Sequence, residues 1–173
     1  MKVKPSPRNQ GVVVELGPEE AQLPAANVFS LKKILVPVDF SDCSKKALQY
    51  AIPFARQFGA ELTLLSVVEP YPAVPEMAPT DFQTVGDTRR ELERMRETVP
   101  EAIRAKTLLR TGAPSTEIVD AAADLGTDLI IIATHGRKGL SRMMLGSTTE
   151  KVVRHARCPV LIVRETEREF IAG

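Results

Sequence analysis

Short apolar runs recur along this chain, each too brief for a helix and each followed by an amphipathic stretch. Ile34 to Val38, Leu62 to Val68, Leu129 to Ile132 and Pro159 to Val163 are continuously apolar or nearly so. That pattern marks strands buried on both faces. Ala105 to Leu109 reads as a further strand. Between these runs, Ser44 to Phe58 carries Ala47, Leu48, Ala51, Ile52, Ala55 and Phe58 at helical spacing. Pro53 lies inside that stripe and predicts a kink or local break, and Gly59 ends it. Thr88 to Val99 predicts a charged helix with a solvated face. Ser115 to Leu125 predicts another, closed by Gly126, and Thr148 to His155 a short one. Residues 70–86 hold Pro70, Pro72, Pro75, Pro79 and Gly86 and read as a long surface loop. Strand and helix in alternation mean parallel strands with helices on both faces, a three-layer α/β sandwich.

Composition narrows the functions available. The 173 residues suit one ordinary domain. Lys plus Arg is 23 and Asp plus Glu is 22, a formal net charge of +1. This argues against a global electrostatic grip on nucleic acid or an anionic membrane. No stretch approaches the roughly 18 apolar residues of a membrane span, and the start lacks the apolar run of a secretory signal. The expectation is a cytoplasmic protein. Cys43 and Cys158 form no CxxC pair, and no Cys/His cluster suggests structural zinc.

Residues 1–30 differ from the rest, punctuated by Pro5, Pro7, Gly11, Gly17, Pro18 and Pro24. They read as a mobile N-terminal extension in which no strand pattern persists. The competing reading is that Val12 to Leu16 adds an edge strand or covers a partner subunit.

Open parallel sheets bind ligands beyond the carboxyl ends of their strands, where strand order reverses. Two segments qualify: Pro37-Val38-Asp39-Phe40-Ser41, and the stretch from Ala133 through Gly136 to Gly146-Ser147-Thr148-Thr149-Glu150. Glycines at 136 and 146 let a backbone approach a ligand closely. Gly146 precedes a helix whose first N–H groups lack intrahelical partners and attract anions. Six basic residues (Arg137, Lys138, Arg142, Lys151, Arg154, Arg157) face one acid, Glu150, over that stretch. Ser147 to Glu150 also has the spacing of a capping box, which would satisfy the same donors without a ligand. Spacing alone leaves both readings open.

Three blocks resemble the universal stress protein family: Lys33 to Ser41, Asp128 to Ser147, and Cys158 to Val163. The resemblance covers residues 31–165 and leaves 166–173 as a tail. It implies a Rossmann-like fold of the adenine nucleotide α-hydrolase kind, with five mainly parallel strands in the order 3-2-1-4-5. The ATP-binding branch carries a glycine, two residues, a glycine, nine residues, then glycine followed by Ser or Thr. Gly136, Gly146 and Ser147 match, while Ala133 replaces the first glycine. The resemblance implies that Pro37, Val38 and Asp39 border adenine and ribose, and that Val67 flanks the base. Ala133 and Gly136 would approach the ribose and phosphates, and Gly146, Ser147, Thr148 and Thr149 would hold the phosphates. Asp39 competes with a plain role in capping the next helix, for which Ser41 is the other candidate. The implied ligand is ATP or another adenine nucleotide with Mg2+.

His135 has no nucleophile or carboxylate partner nearby in sequence and reads as structural or surface. His155 reads as helix surface or a C-terminal cap. Leu140, Met143 and Met144 read as packing, and redox sensing by Cys43 ranks low. Three functions compete: a nucleotide-binding stress or signalling module with little turnover, a weak nucleotide hydrolase, and a ligand-free structural dimer, for which Ala133 is the best argument. The final strand, Cys158 to Val163, is expected at a sheet edge where a second copy pairs with it, as the resemblance also implies.

Overall fold

The computed structural model describes residues 2–5, 12–15, 30–70, 82–134 and 146–164, with side chains from 30 onward except at 82–84. Two units are distinct, Met1–Ser30 and Leu31–Gly173. In the first, β1 (Lys2–Pro5) and β2 (Val12–Glu15) pair antiparallel, Lys2 opposite Glu15. The Val12 run is thus a strand, and its partner is the start of the chain.

The second unit alternates as the pattern predicts: β3 (Lys33–Pro37), α1 (Asp42–Phe58), β4 (Glu61–Val68), α2 (Phe82–Glu97), β5 (Ala105–Thr111), α3 (Pro114–Leu125), β6 (Leu129–Ala133), α4 (Ser147–His155) and β7 (Val160–Val163). The sheet order is β5-β4-β3-β6-β7. Every pairing in it is parallel. In the order of its own strands this is 3-2-1-4-5, the expected topology.

Side-chain alternation along the strands builds two cores. Ile34, Val36, Leu62, Leu64 and Ile131 pack with α1 and with Leu92 and Met95 of α2. Leu35, Leu65, Ile130 and Ile132 pack with Ile118, Ala121 and Ala122 of α3 and Val152 of α4. Leu35, Leu62, Leu64, Ile130 and Ile131 are fully buried, which explains why their strands read as unbroken apolar runs.

Three local expectations need correction. α1 runs through Pro53 as one helix; tertiary burial of Ala47, Leu48, Ala51 and Ala55 holds both halves on the sheet. α2 begins at Phe82, inside the segment assigned to a loop; the rest of that loop, 71–81, lies outside the described residues. The capping box on α4 does not form. Its N-cap is Gly146, with no side-chain cap bond, and Glu150 instead accepts from Arg154 at 2.8 Å. Gly59 and Gly126 close α1 and α3 in the left-handed conformation, at φ 64° and 60°.

Candidate functional site

β3 pairs with β4 on one side and with β6 on the other. The chain therefore leaves β3 toward one edge of the sheet and later returns to the opposite side of it. This is the reversal point at which such sheets open a crevice. A cleft of about 530 Å³ lies there, a size typical of small-molecule sites.

Nine of the ten residues expected to bind ligand line this cleft: Pro37, Val38, Asp39, Val67, Ala133, Gly146, Ser147, Thr148 and Thr149. Gly136 lies outside the described residues, as do His135, Arg137, Lys138, Leu140, Arg142, Met143 and Met144.

Asp39 stands just beyond β3. Its Oδ1 accepts from the Ser41 hydroxyl at 2.6 Å and the Ser41 N–H at 3.2 Å. Ser41, not Asp39, is the N-cap of α1, accepting from the Ser44 N–H at 3.3 Å. Between them Phe40 adopts φ 68°, a left-handed conformation unfavourable for an aromatic residue by about 1–2 kcal/mol. Its ring packs against the α1-side core, which offsets that cost. The acid is therefore held at the strand end by a strained backbone and two hydrogen bonds from Ser41.

Across the cleft, α4 starts at Ser147 with no side chain on its first N–H groups. The positive end of the helix dipole lies at the cleft, and the acid of the first turn, Glu150, is paired with Arg154. Ser147 is exposed, Thr148 half-buried and Thr149 buried. The Thr149 hydroxyl donates to the Ala133 carbonyl at 2.8 Å. The Gly146 N–H donates to the Thr134 carbonyl at 2.9 Å.

Ala133 departs from the glycine pattern, and it belongs both to the cleft lining and to the core. Ala133 is 5% exposed and packs in the core cluster on the α1 side, with Ile131 and Val163. Its neighbour Ile132 belongs to the opposite core and lines the cleft.

The sequence reading missed Ser44, Ser66, Glu69, Thr88, Pro114 and Ile118 of the lining. Ser66 and Glu69 sit at the end of β4, so the rule that ligands gather at strand ends extends to them. Thr88, Pro114 and Ile118 come from helices, and no local motif marks them. α3, like α4, has no side-chain cap, and Pro114 opens it. Of the basic residues grouped by sequence, Lys151, Arg154 and Arg157 are exposed; Arg154 is paired with Glu150. His155 is exposed on α4, with Nδ1 2.8 Å from the Lys151 carbonyl oxygen. No helix among the described residues is long and apolar enough to cross a membrane.

Comparison with known proteins places these features in a family. Residues 30–164 match the universal stress protein family. A universal stress protein of Methanocaldococcus jannaschii is 35% identical over 144 residues, covering 80% of this chain and 85% of the relative. The universal stress protein UspA from Lactobacillus plantarum superposes with a TM-score of 0.67 at 29% identity, covering 80% of this chain and all of that one. A universal stress protein from Archaeoglobus fulgidus in complex with dAMP shares the fold, with a TM-score of 0.61 at 20% identity over 79% of this chain and all of that one.

Proposed function

The chain belongs to the universal stress protein family, and from that premise we propose that it is an adenine-nucleotide-binding module, with ATP as its ligand and a stress-response or signalling role. The observation that carries this reading is the opposition across one cleft of Asp39 and the uncapped start of α4. A nucleotide has matching ends. Its phosphates suit the N–H groups of Ser147, Thr148 and Thr149 in the first turn of α4 and the hydroxyls of Ser147 and Thr148, with Gly146 leaving room for their approach. Its ribose hydroxyls or exocyclic amine suit a carboxylate, and Val38 and Val67 offer apolar flanks for a base. The dAMP complex of the Archaeoglobus fulgidus protein is in keeping with this ligand class.

Among the described residues no group of three or more His, Cys, Asp or Glu side chains is placed to hold a metal. Mg2+ would therefore arrive on the phosphates, whose charge it neutralises, with Ser147 and Thr148 the nearest protein oxygens able to meet it. Turnover is expected to be slow or absent, because the sequence lacks a phosphate loop ending in Gly-Lys and then Ser or Thr, and offers no obvious pair of acid and base. The packing of Ala133 in the α1-side core weighs against the ligand-free alternative.

Isothermal titration of the full chain with ATP and Mg2+ tests the proposal. Binding is expected in the wild type and strongly weakened in Gly146→Val, whose side chain would crowd the phosphate position. Absence of any heat at millimolar ATP in the wild type would overturn it.

A further inference from the structure

β6 ends at Ala133, and α4 begins at Ser147 behind its N-cap, Gly146. Two hydrogen bonds tie these ends together. The Gly146 N–H donates to the Thr134 carbonyl at 2.9 Å, and the Thr149 hydroxyl donates to the Ala133 carbonyl at 2.8 Å. The second differs in kind, since it crosses from the first turn of α4 to the last residue of β6. Thr149 is 4% exposed and Ala133 5%, so water cannot readily replace either partner. A threonine hydroxyl has one hydrogen, and here it is committed to the Ala133 carbonyl.

We propose that Thr149 is a positioning residue: it pins the start of α4 to the end of β6 before any ligand arrives. Its hydroxyl thereby fixes where the Ser147, Thr148 and Thr149 N–H groups point. This deepens the nucleotide-binding reading and rests on it for the effect on affinity. The fixing of the chain ends is separate from that reading. Preorganised donors bind an anion better than donors that must first be ordered. Without the bond, the Ala133 carbonyl is left buried and short of a donor, and the cheapest relief is for the helix start to move away.

Thr149→Val keeps the shape and removes the donor, whereas Thr149→Ser keeps the donor. The sequence places Arg137, Lys138 and Arg142 between the tied ends, so trypsin reads separation of those ends without a ligand. In native full-length protein, Thr149→Val is expected to raise cleavage after these residues about tenfold, and Thr149→Ser to stay near the wild-type rate. Urea unfolding of each variant gives the increase that global destabilisation alone would cause. Affinity for ATP with Mg2+ is expected to fall about tenfold in Thr149→Val and to recover in Thr149→Ser. Unchanged cleavage in Thr149→Val, or a rise no larger than its global destabilisation explains, overturns the positioning role. A wild type that ignores ATP overturns the nucleotide reading instead, and cleavage alone then decides the role of Thr149. A Thr149→Val protein too unfolded to assay transfers the decision to Thr149→Ser, whose cleavage must stay within about twofold of wild type for the role to hold.

Discussion

Ser41 donates its hydroxyl hydrogen to Oδ1 of Asp39 over 2.6 Å, and its own Oγ accepts from the Ser44 N–H at 3.3 Å. One serine thus caps α1 and braces the acid at the mouth of the cleft. Ser44 closes the circuit, since its hydroxyl donates to the Ser41 carbonyl at 2.9 Å. The left-handed Phe40 between Asp39 and Ser41 is held by these contacts and by the ring's packing. Helix capping and the bracing of Asp39 therefore share a residue.

Two substitutions separate those roles. Ser41→Ala loses the cap and the brace, and should destabilise the fold by about 1 kcal/mol. Ser41→Gly loses the brace, but glycine is a tolerable N-cap and should cost only a few tenths of a kcal/mol. Both should weaken ATP binding by a similar factor, about three- to tenfold. Urea unfolding and calorimetry on the two proteins provide the comparison. Affinity that tracks stability, with Ser41→Gly binding like wild type, would show that the brace does not matter to ligand.

Ala133 makes the opposite case, a residue at the site whose side chain serves the core. Restoring the family glycine with Ala133→Gly removes a buried methyl and loosens the last residue of β6. Each effect is worth about 0.5–1 kcal/mol, so the variant should melt lower. Its ATP affinity should change less than about twofold, because the methyl packs with Ile131 and Val163. A large gain in affinity would mean that the methyl does obstruct the ligand.

How much of this was legible beforehand depends on the range of the interaction. The sheet order and the grouping of Asp39 with Gly146 came from strand runs and family blocks, since buried parallel strands write themselves as apolar runs. The failures were local contests decided by distant partners. Ser147 to Glu150 has the letters of a capping box, but Glu150 goes to Arg154 and the buried Thr149 goes to Ala133. Pro53 predicts a kink or local break in a helix that the sheet beneath it holds continuous. Thr88 and Ile118 reach the cleft only because α2 and α3 lie on opposite faces of the sheet, which no nearby motif encodes.

Acid should unfold the protein partly through Glu61. Lys106 on the neighbouring strand hydrogen-bonds its carboxylate, with Nζ 2.6 Å from Oε1, and holds its carboxyl below the ordinary value of 4.5. A carboxyl that titrates lower when folded binds fewer protons than in the unfolded chain. Its stabilisation is present above pH 4.5 and is lost as pH falls through the folded value. Glu61→Gln should therefore flatten the stability profile below about pH 5. Lys106→Met, which removes the partner, should flatten it similarly. Chemical denaturation from pH 3 to 7 (about that range) checks this, and profiles parallel to wild type would assign the acid sensitivity elsewhere.

Assembly through β7 is the remaining proposal. Among the described residues β7 pairs with β6 along one side only and ends the sheet. Val160, Leu161 and Ile162 are half-buried there, so an apolar strand lies at an edge, an arrangement that invites a second copy. A two-fold axis would pair the strand with itself, antiparallel, and close the assembly. Hydrogen-bond direction tells which residue to change. The Pro159 carbonyl accepts from Ile130 and the Val163 carbonyl from Thr134. In a parallel ladder a residue's N–H and C=O point to the same side. Residues 159, 161 and 163 thus face β6, while 160 and 162 direct their backbone groups outward. Ile162→Pro removes an outward N–H and spares the ladder to β6, the position at which proline is tolerated in an edge strand. Sedimentation should find the wild type dimeric at tens of micromolar and Ile162→Pro shifted to monomer, with the fold retained by circular dichroism. Lysine at Leu161 and Val163 should harm the fold as well, since both side chains pack in the α1-side core. A wild type that sediments as a monomer at that concentration would end the proposal, and an Ile162→Pro protein as dimeric as wild type would move the interface to another surface.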